Sequence, residues 1–322
     1  MKKATNVFTA GENDDGKRID RVLLQAFPQL TRGNIFRALR KGLITLNGKK
    51  CTPETRVHAH DSILVFFSIN KPGSTASSSN GDDIKVPLRE LCNMIIYEDE
   101  HIIAFNKPRG LVVHGHGSLE YQVRFLWAER NDHSLSFHPG PIHRLDRNTT
   151  GLQLFSASIH GARMFTRLFR ERKIQKIYIG VMDNLLKHDA VWEDVLVRNP
   201  AARITGNSKT SKGKTSITKV FPVISADNHT LALFLPRTGR THQIRSQAAI
   251  HGFPLTGDIK YGGSRRFPWY LLHAGQLTVV DPQYPFGVLT APMPAESEKL
   301  LKNIFGEKSI ALLDKTIKNL NK

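Results

Sequence analysis

The chain has 322 residues, of which 40% are hydrophobic, and its 46 Lys and Arg against 28 Asp and Glu give a formal net charge of +18. This length supports a full-sized core and predicts two domains. So basic a chain is typical of proteins that bind a polyanion, most often the phosphate backbone of a nucleic acid. Cys51 and Cys92 are too few and too far apart for a disulfide framework or a zinc site with several cysteine ligands.

The low cysteine count favours a reducing cytoplasm. The N-terminus has no apolar run of the kind found in a signal peptide. No later run approaches the roughly 20 apolar residues of a membrane span. We therefore expect a soluble cytoplasmic protein with no membrane partner, and a monomer by default.

The sharpest break in composition is the polar, Gly- and Ser-rich stretch 71–83, which has no apolar periodicity and predicts a flexible linker. A solvated loop inside one domain is the alternative. The predicted division is an N-terminal tail or strand at 1–15, a small domain at 16–69, a linker at 70–88 and a large domain at 89–322, which ends in a helical tail.

In the small domain, apolar residues recur at helical spacing from Ile19 to Phe27, and Thr31 is placed to cap a second helix. Gly42 ends that helix, and residues 43–49 then predict a strand that runs into an Asn-Gly turn. This order of elements resembles the S-four type RNA-binding module. The alternative is an ordinary helix pair whose charges face water. The residues predicted to contact RNA are Arg18, Arg21, Arg32, Arg37, Arg40 and Lys41.

After the linker, residues 94–97 and 101–105 predict two strands joined by an acidic turn. The following loop contains Pro108, which cannot donate to a strand ladder, and Gly110, which permits a sharp reversal. We expect this loop to bring Lys107, Arg109 and His114 to a surface. A basic turn without function is an equally good interpretation of the loop alone.

The segment 143–151, HRLDRNTTG, places a single carboxylate, Asp146, between two arginines. A strand is predicted at 151–155, a helix at 159–170 and a further strand at 176–181. Tyr178 falls on the opposite face of that last strand from its neighbours. A half-buried strand tyrosine most often serves packing.

A glycine turn at Gly239 leads into a helix that carries Arg240, His242 and Arg245 near its start. Free backbone amides and guanidinium groups converge at such a position, which makes it a good anion site. The alternative is a charged helix cap.

Together these segments resemble the RluA family of ribosomal and transfer RNA pseudouridine synthases, and specifically members with an S-four type module in front. The matching stretches run from about Tyr97 to Pro294 and include the Asp146 turn and the arginine-rich helix start. The resemblance implies an α+β fold, with a small RNA-binding module and a larger catalytic domain built on a long mixed, mainly antiparallel sheet flanked by helices. It also implies isomerisation of uridine in RNA, and large-subunit rRNA as the favoured partner.

The resemblance further assigns roles to residues. Asp146 would attack the sugar carbon or remove the 2′ proton, and the sequence leaves both routes open. Arg245 would pair with this carboxylate, and Tyr178 would lie against the uracil. Arg144 would fill the gap left by a flipped base, although a plain salt bridge is its alternative. The basic loop and the helix start add four substrate-binding candidates, Lys107, His114, Arg240 and His242.

Three other functions stay open at this stage: a non-catalytic RNA-binding or ribosome-assembly protein, a synthase acting on tRNA, and an RNA glycosylase or nuclease. The last would need a second acid that the motifs lack. Zinc and nucleotide fingerprints are missing, so no metal or cofactor is expected. Four positions depart from the usual family pattern and put substrate choice in more doubt than activity: Thr150, Gly180, Asp183 and Gln247.

Overall fold

The computed structural model describes residues 5–69, 88–129, 134–199, 204–207, 213–281, 284 and 287–320. The linker expected at 70–88 lies outside these residues except for Leu88, which begins a helix. No helix in the described part of the chain is both long and apolar enough to span a bilayer.

Helices and strands are interspersed along the chain, and short 3₁₀ helices occur at Glu12–Asp14 and Ile259–Tyr261. The strands are β1 (Asn6–Thr9), β2 (Ile44–Leu46), β3 (Lys49–Lys50), β4 (Ser62–Val65), β5 (Ile95–Glu98), β6 (Ile102–Lys107), β7 (Thr150–Ser156), β8 (Ile174–Asp183), β9 (Ala190–Asn199), β10 (Ile204–Asn207), β11 (Lys214–Ala226), β12 (His229–Pro236), β13 (Leu272–Val279) and β14 (Val288–Thr290). The helices are α1 (Ile19–Ala26), α2 (Arg32–Arg40), α3 (Leu88–Asn93), α4 (Leu119–Glu129), α5 (Ile159–Arg170), α6 (Gln243–Ile250), α7 (Ala295–Phe305) and α8 (Lys308–Leu320).

A four-stranded sheet in the order β1-β4-β2-β3 packs with α1 and α2, and residues 5–69 are called the small unit below. The predicted helix pair is confirmed, since the Thr31 hydroxyl accepts a hydrogen bond from the Asn34 amide at 3.3 Å and caps α2. The turn between β2 and β3 is also confirmed, because Asn47 and Gly48 both have positive φ, 51° and 75°. Strand β1 pairs with β4, so the N-terminal strand belongs to this sheet.

The described remainder of the chain is built on a ten-stranded sheet in the order β10-β9-β11-β12-β8-β13-β7-β6-β5, with β14 paired to β13. The β7–β13 pair is parallel, and the other described pairs are antiparallel. The mixed, mainly antiparallel sheet implied by the resemblance is therefore confirmed.

The two faces of this sheet bury different helices. Along β8, Tyr178 and Met182 share a core with Phe165 and Leu168 of α5. Ile177 and its alternate neighbours pack on the other face, in a core to which α7 and α8 contribute Leu301, Phe305 and Leu313. The C-terminal tail is thus helical as predicted, and it covers the face opposite α5.

The small unit is fixed to the rest of the chain by Asp14, whose side chain is fully buried. Its carboxylate accepts hydrogen bonds from the Ser134 hydroxyl (2.6 Å), the Leu135 amide (2.7 Å) and the Ser136 amide (3.0 Å). Leu135 packs into the core of the small unit. A buried carboxylate that is satisfied this fully holds its donors firmly, because each bond to an ionised group is stronger than a neutral one.

Replacing Asp14 with Asn should uncouple the small unit, at a cost of about 3 kcal/mol, because an amide cannot accept all of these bonds. All three tryptophans lie beyond residue 120, so fluorescence reports on the larger part alone and circular dichroism reports on both. We expect the two denaturation curves to coincide in the wild type and to separate in Asp14→Asn. The exposed Glu12→Gln is the control, and coincident curves at an unshifted midpoint in Asp14→Asn would contradict this role.

Candidate active site

A cavity of about 820 Å³ lies over the central strands. Both the Asp146 turn and the arginine-rich helix start line it. The turn before β7 contributes Arg144 and Asp146, and β8 contributes Lys176 and Tyr178. The start of α6 closes the opposite wall with its basic residues. The sheet order explains this meeting, because β7, β13, β8 and β12 are consecutive neighbours. Ala274 of β13 pairs with both Gly151 and Tyr178, and Tyr178 pairs with Phe234 of β12 shortly before α6.

Arg245 joins Asp146 to a second carboxylate, Asp258. Arg245 Nη1 lies 3.1 Å from Asp146 Oδ2, while Nε and Nη2 bind the two oxygens of Asp258 at 2.6 and 2.8 Å. The side chains of Arg245 and Asp258 are 8% and 2% exposed, and that of Asp146 is 21% exposed toward the cavity. The expected Asp146–Arg245 ion pair is therefore present in the structure.

The guanidinium of Arg245 is also held between two aromatic rings. Its central carbon lies 4.9 Å from the ring centre of Tyr261 and 4.4 Å from that of Tyr270. Burial alone lowers the pKa of Arg245, but the hydrogen bonds and charge of Asp258, with Asp146, raise it overall. The cation is therefore permanent, and its direction is set by Asp258 and the two rings.

His242 faces the other oxygen of Asp146. Its Nε2 lies 3.8 Å from Asp146 Oδ1, and its Nδ1 lies 2.8 Å from the Tyr261 hydroxyl. That hydroxyl accepts a hydrogen bond from the Thr205 amide, so its own proton is available to donate to Nδ1, which leaves the ring proton on Nε2. Burial lowers the pKa of His242, so we infer a neutral ring whose N–H points toward Asp146.

The floor of the cavity carries Tyr178 and Lys176, which lie on the same face of β8. Burial, with the nearby charge of Asp146, raises the pKa of Tyr178, so its hydroxyl stays protonated. Burial also lowers the pKa of Lys176 to about 8, and its Nζ lies 5.6 Å from the ring centre of Phe169. The adjacent His143 is kept neutral, because burial and the charge of Lys176 lower its pKa to about 3.

The prediction that Lys107 lies at a surface is wrong. Its side chain is fully buried, and its Nζ donates to the carbonyls of Pro108 (2.8 Å), Leu111 (2.9 Å) and Arg147 (3.0 Å). Burial lowers the pKa of Lys107 to about 7, but three carbonyl acceptors match the three donors of an ammonium group. The residue thus holds the backbone immediately after Asp146, and it does not line the cavity.

Two further residues fix the Asp146 turn. The fully buried side chain of Gln153 accepts from the Leu145 amide at 3.1 Å and donates to the His143 carbonyl at 2.6 Å. Gly151 has φ of 101°, and a Cβ there would lie 2.3 Å from the Ala274 carbonyl oxygen. Only glycine fits where β7 leaves the turn and pairs with β13.

The remaining predicted site residues divide into two groups. Arg144 and Arg240 are exposed and line the cavity, as expected for contacts with RNA. His114 does not line it, since its Nδ1 lies 2.8 Å from Glu120 Oε2 on α4. Gln247 points into the interior, where its amide contacts Asp194 at 2.7 Å, so this departure from the family pattern lies away from the cavity.

In the small unit, five predicted RNA contacts are exposed, and Arg18 is the exception. It forms a two-point ion pair with the buried Asp20, at 3.0 and 3.1 Å, and also contacts Glu54. It therefore stabilises the start of α1. The exposed residues are Arg21, Arg32, Arg37, Arg40 and Lys41.

Sequence reasoning missed Asp258 and the clamp that it forms with the two tyrosines. The usable signal was an acid 13 residues after Arg245, following a Gly-rich turn, but nothing local separates it from a solvated loop carboxylate. Lys176 was included only as the first residue of a predicted strand, with no role in the cavity.

Residues 101–249 match the family model described as RNA pseudouridylate synthase, and residues 17–63 match the S4 domain model. Among curated relatives, the ribosomal large subunit pseudouridine synthase C of Vibrio vulnificus is 30% identical, over 94% of this chain and 98% of its own length. The protein of the same name from Rickettsia bellii is also 30% identical, over 81% of this chain and 89% of its own.

A solved structure of human RNA pseudouridylate synthase domain containing 4 aligns with 67% of this chain and 95% of its own, with a TM-score of 0.58 and 22% identity, which supports the fold. The chain belongs to the RNA pseudouridylate synthase family. It is an RNA pseudouridine synthase that isomerises uridine in RNA and carries an N-terminal S4 domain.

Replacing Asp258 with Asn should lower turnover by roughly tenfold to a hundredfold, because Arg245 loses the partner that orients it, and a small misplacement of a catalytic group costs about this much. RNA affinity should change little, because Asp258 does not line the cavity. Rates at saturating RNA test the prediction.

Asp194→Asn is the matched control, because Asp194 is a buried carboxylate that binds Gln247 farther along α6 without touching Arg245. It should lower stability with a much smaller loss of turnover. Equal losses of turnover in the two variants would show that Asp258 acts only through stability.

Proposed function

We propose that this synthase modifies uridines of large-subunit rRNA, with Asp146 as the essential carboxylate. The relatives that align over nearly the whole chain bear names of large-subunit rRNA synthases, and the net charge of +18 suits a large polyanionic substrate. A tRNA substrate is the alternative, and RNA mapping separates the two.

The geometry gives the two oxygens of Asp146 different tasks. Oδ2 is held by Arg245, whereas Oδ1 lies 3.8 Å from His242 Nε2, beyond hydrogen-bond distance, and faces the cavity. Oδ1 is therefore the oxygen that attacks the sugar carbon or removes the 2′ proton. Both routes need a charged carboxylate, and the guanidinium of Arg245 lies against it as the opposite charge.

The target base must leave its stack to reach this carboxylate, at a cost of a few kcal/mol. Arg144 is exposed at the cavity wall two residues before Asp146, where a planar guanidinium can enter the vacated stack. Tyr178 lies on the cavity floor as a protonated phenol. It supports the uracil face. Because the phenol is protonated, it can accept the C5 proton only if it passes its own proton to another group.

The cavity also suits retention of the base. Among the described residues that line it, Asp146 is the one carboxylate. A glycoside hydrolase needs a second acid to protonate the leaving group or activate water. A single carboxylate instead fits a reaction in which the detached uracil rotates and rejoins through C5.

The same proposal covers the organisation of the chain: a tail or strand at 1–15, an RNA-binding module at 16–69, a linker at 70–88 and a catalytic domain at 89–322. The protein works in the cytoplasm as a monomer and needs no nucleotide cofactor, because an isomerisation consumes none. The observation that carries the proposal is the Arg245-bound Asp146 facing a cavity beside exposed arginines.

Asp146→Asn should reduce product by roughly a thousandfold or more while RNA affinity stays within about threefold, because only the reacting carboxylate changes. Pseudouridines are mapped in rRNA and tRNA from a strain that lacks the protein and is complemented with each variant. Asp314→Asn on the exposed face of α8 is the control. Restored modification with Asp146→Asn would refute the catalytic role, and missing sites in tRNA alone would refute the rRNA assignment.

The exposed basic residues of α2 give a separate prediction. The triple substitution Arg32→Gln, Arg37→Gln and Arg40→Gln should weaken binding to a large-subunit rRNA transcript. The slope of log affinity against log salt should flatten by about 0.7 to 0.9 per lost phosphate contact. Filter binding at several salt concentrations measures both. An unchanged slope would mean that α2 does not contact RNA.

A further inference from the structure

The exposed face of α5 carries three arginines whose positions the described reaction does not explain. Arg163, Arg167 and Arg170 are spaced four and three residues apart, so they share one side of the helix. All three are exposed, and none pairs with a carboxylate among the described residues; nearby Glu171 contacts Lys173 instead. These three residues are called the arginine ridge.

Helix stability does not account for the ridge. Like charges at this spacing destabilise a helix slightly, and cations help a helix only in its last turn, through its dipole. Arg167 and Arg170 lie in that last turn, but Arg163 lies in the first half of α5. A polyanion bound along the helix would turn the repulsion among the three charges into attraction.

The ridge joins two parts of the molecule. At its C-terminal end, Phe169, Arg170 and Arg172 line the cavity that contains Asp146. At its N-terminal end, the amide of Ile159 donates to Asn13 of the small unit at 2.9 Å. The helix axis between Arg163 and Arg170 covers about 10 Å.

The small unit places a cation of its own, Lys17, at this junction. Lys17 lies close enough to Arg163 for the two charges to interact, and its Nζ donates to the Ser136 hydroxyl at 2.8 Å. The buried Asp14 holds the same segment. The basic surface that starts at the small unit therefore continues onto α5.

We propose that the arginine ridge binds the RNA backbone that flanks the flipped uridine and guides it between the cavity and the small unit. The proposal rests on the proposed function, since it concerns the same RNA substrate. The arginine ridge recognises RNA by charge alone, because guanidinium groups on an exposed helix face bind phosphates without reading the base sequence.

The test compares wild-type full-length protein with the double variant Arg163→Gln and Arg167→Gln, neither of which lines the cavity. The matched control is Lys315→Gln with Lys318→Gln, which removes two charges from the exposed side of α8, a helix on the opposite sheet face. Binding to an unmodified large-subunit rRNA transcript is measured by filter binding at several salt concentrations, and turnover is measured at saturating RNA.

The ridge variant should bind on the order of tenfold more weakly, with a salt slope flatter by about 1.4 to 1.8, while turnover at saturation is unchanged. A salt slope equal to that of the control pair would overturn the proposal that the arginine ridge binds RNA. Failure of the proposed function would be seen separately, because the wild-type protein would then form no pseudouridine in the transcript. The comparison of salt slopes between the ridge variant and the control pair would still test the ridge.

Discussion

The candidate active site depends on one guanidinium shared by two carboxylates. Arg245 binds Asp258 at two points and Asp146 at one, so the cluster of three side chains carries a formal charge of −1. Burial lowers the pKa of the nearby His242, so its ring adds no compensating positive charge beside Asp146, the carboxylate that the proposed reaction uses. An RNA phosphate would be repelled by such a centre. In the proposed function the attraction for RNA therefore comes from the exposed arginines around the cavity, and Lys176 on the cavity floor adds a further cation.

The position of Asp146 is set by contacts from both within and beyond its own turn. Its turn is held from below by Lys107 and Gln153, and the turn meets β13 only because Gly151 allows the backbones to approach closely. The carboxylate is thus fixed at its backbone by one set of groups and at its side chain by Arg245. Such support restricts the geometry before substrate arrives, which in the proposed reaction would lower the cost of reaching the transition state.

The features that the sequence predicted well are those with local causes. Helix α5 was predicted at the bounds that the structure shows, because its apolar spacing lies within the segment. The pairing of Asp146 with Arg245, 99 residues apart, came from family resemblance and not from spacing. Lys107 was misplaced, because three converging carbonyls are a tertiary arrangement that leaves no mark on a short motif. Asp258 and Asp14 were missed for the same reason, since buried and solvated carboxylates look alike in sequence.

The buried Asp14 bears on how the two parts of the enzyme share one RNA. A module joined only by a chain segment raises the local concentration of RNA without orienting it. A module docked through a satisfied buried carboxylate is held in one orientation before RNA binds, so in the proposed function less freedom is lost on binding. Because the donors come from residues 134–136, shortly before the Asp146 turn, the same stretch of chain positions the small unit and leads into that turn.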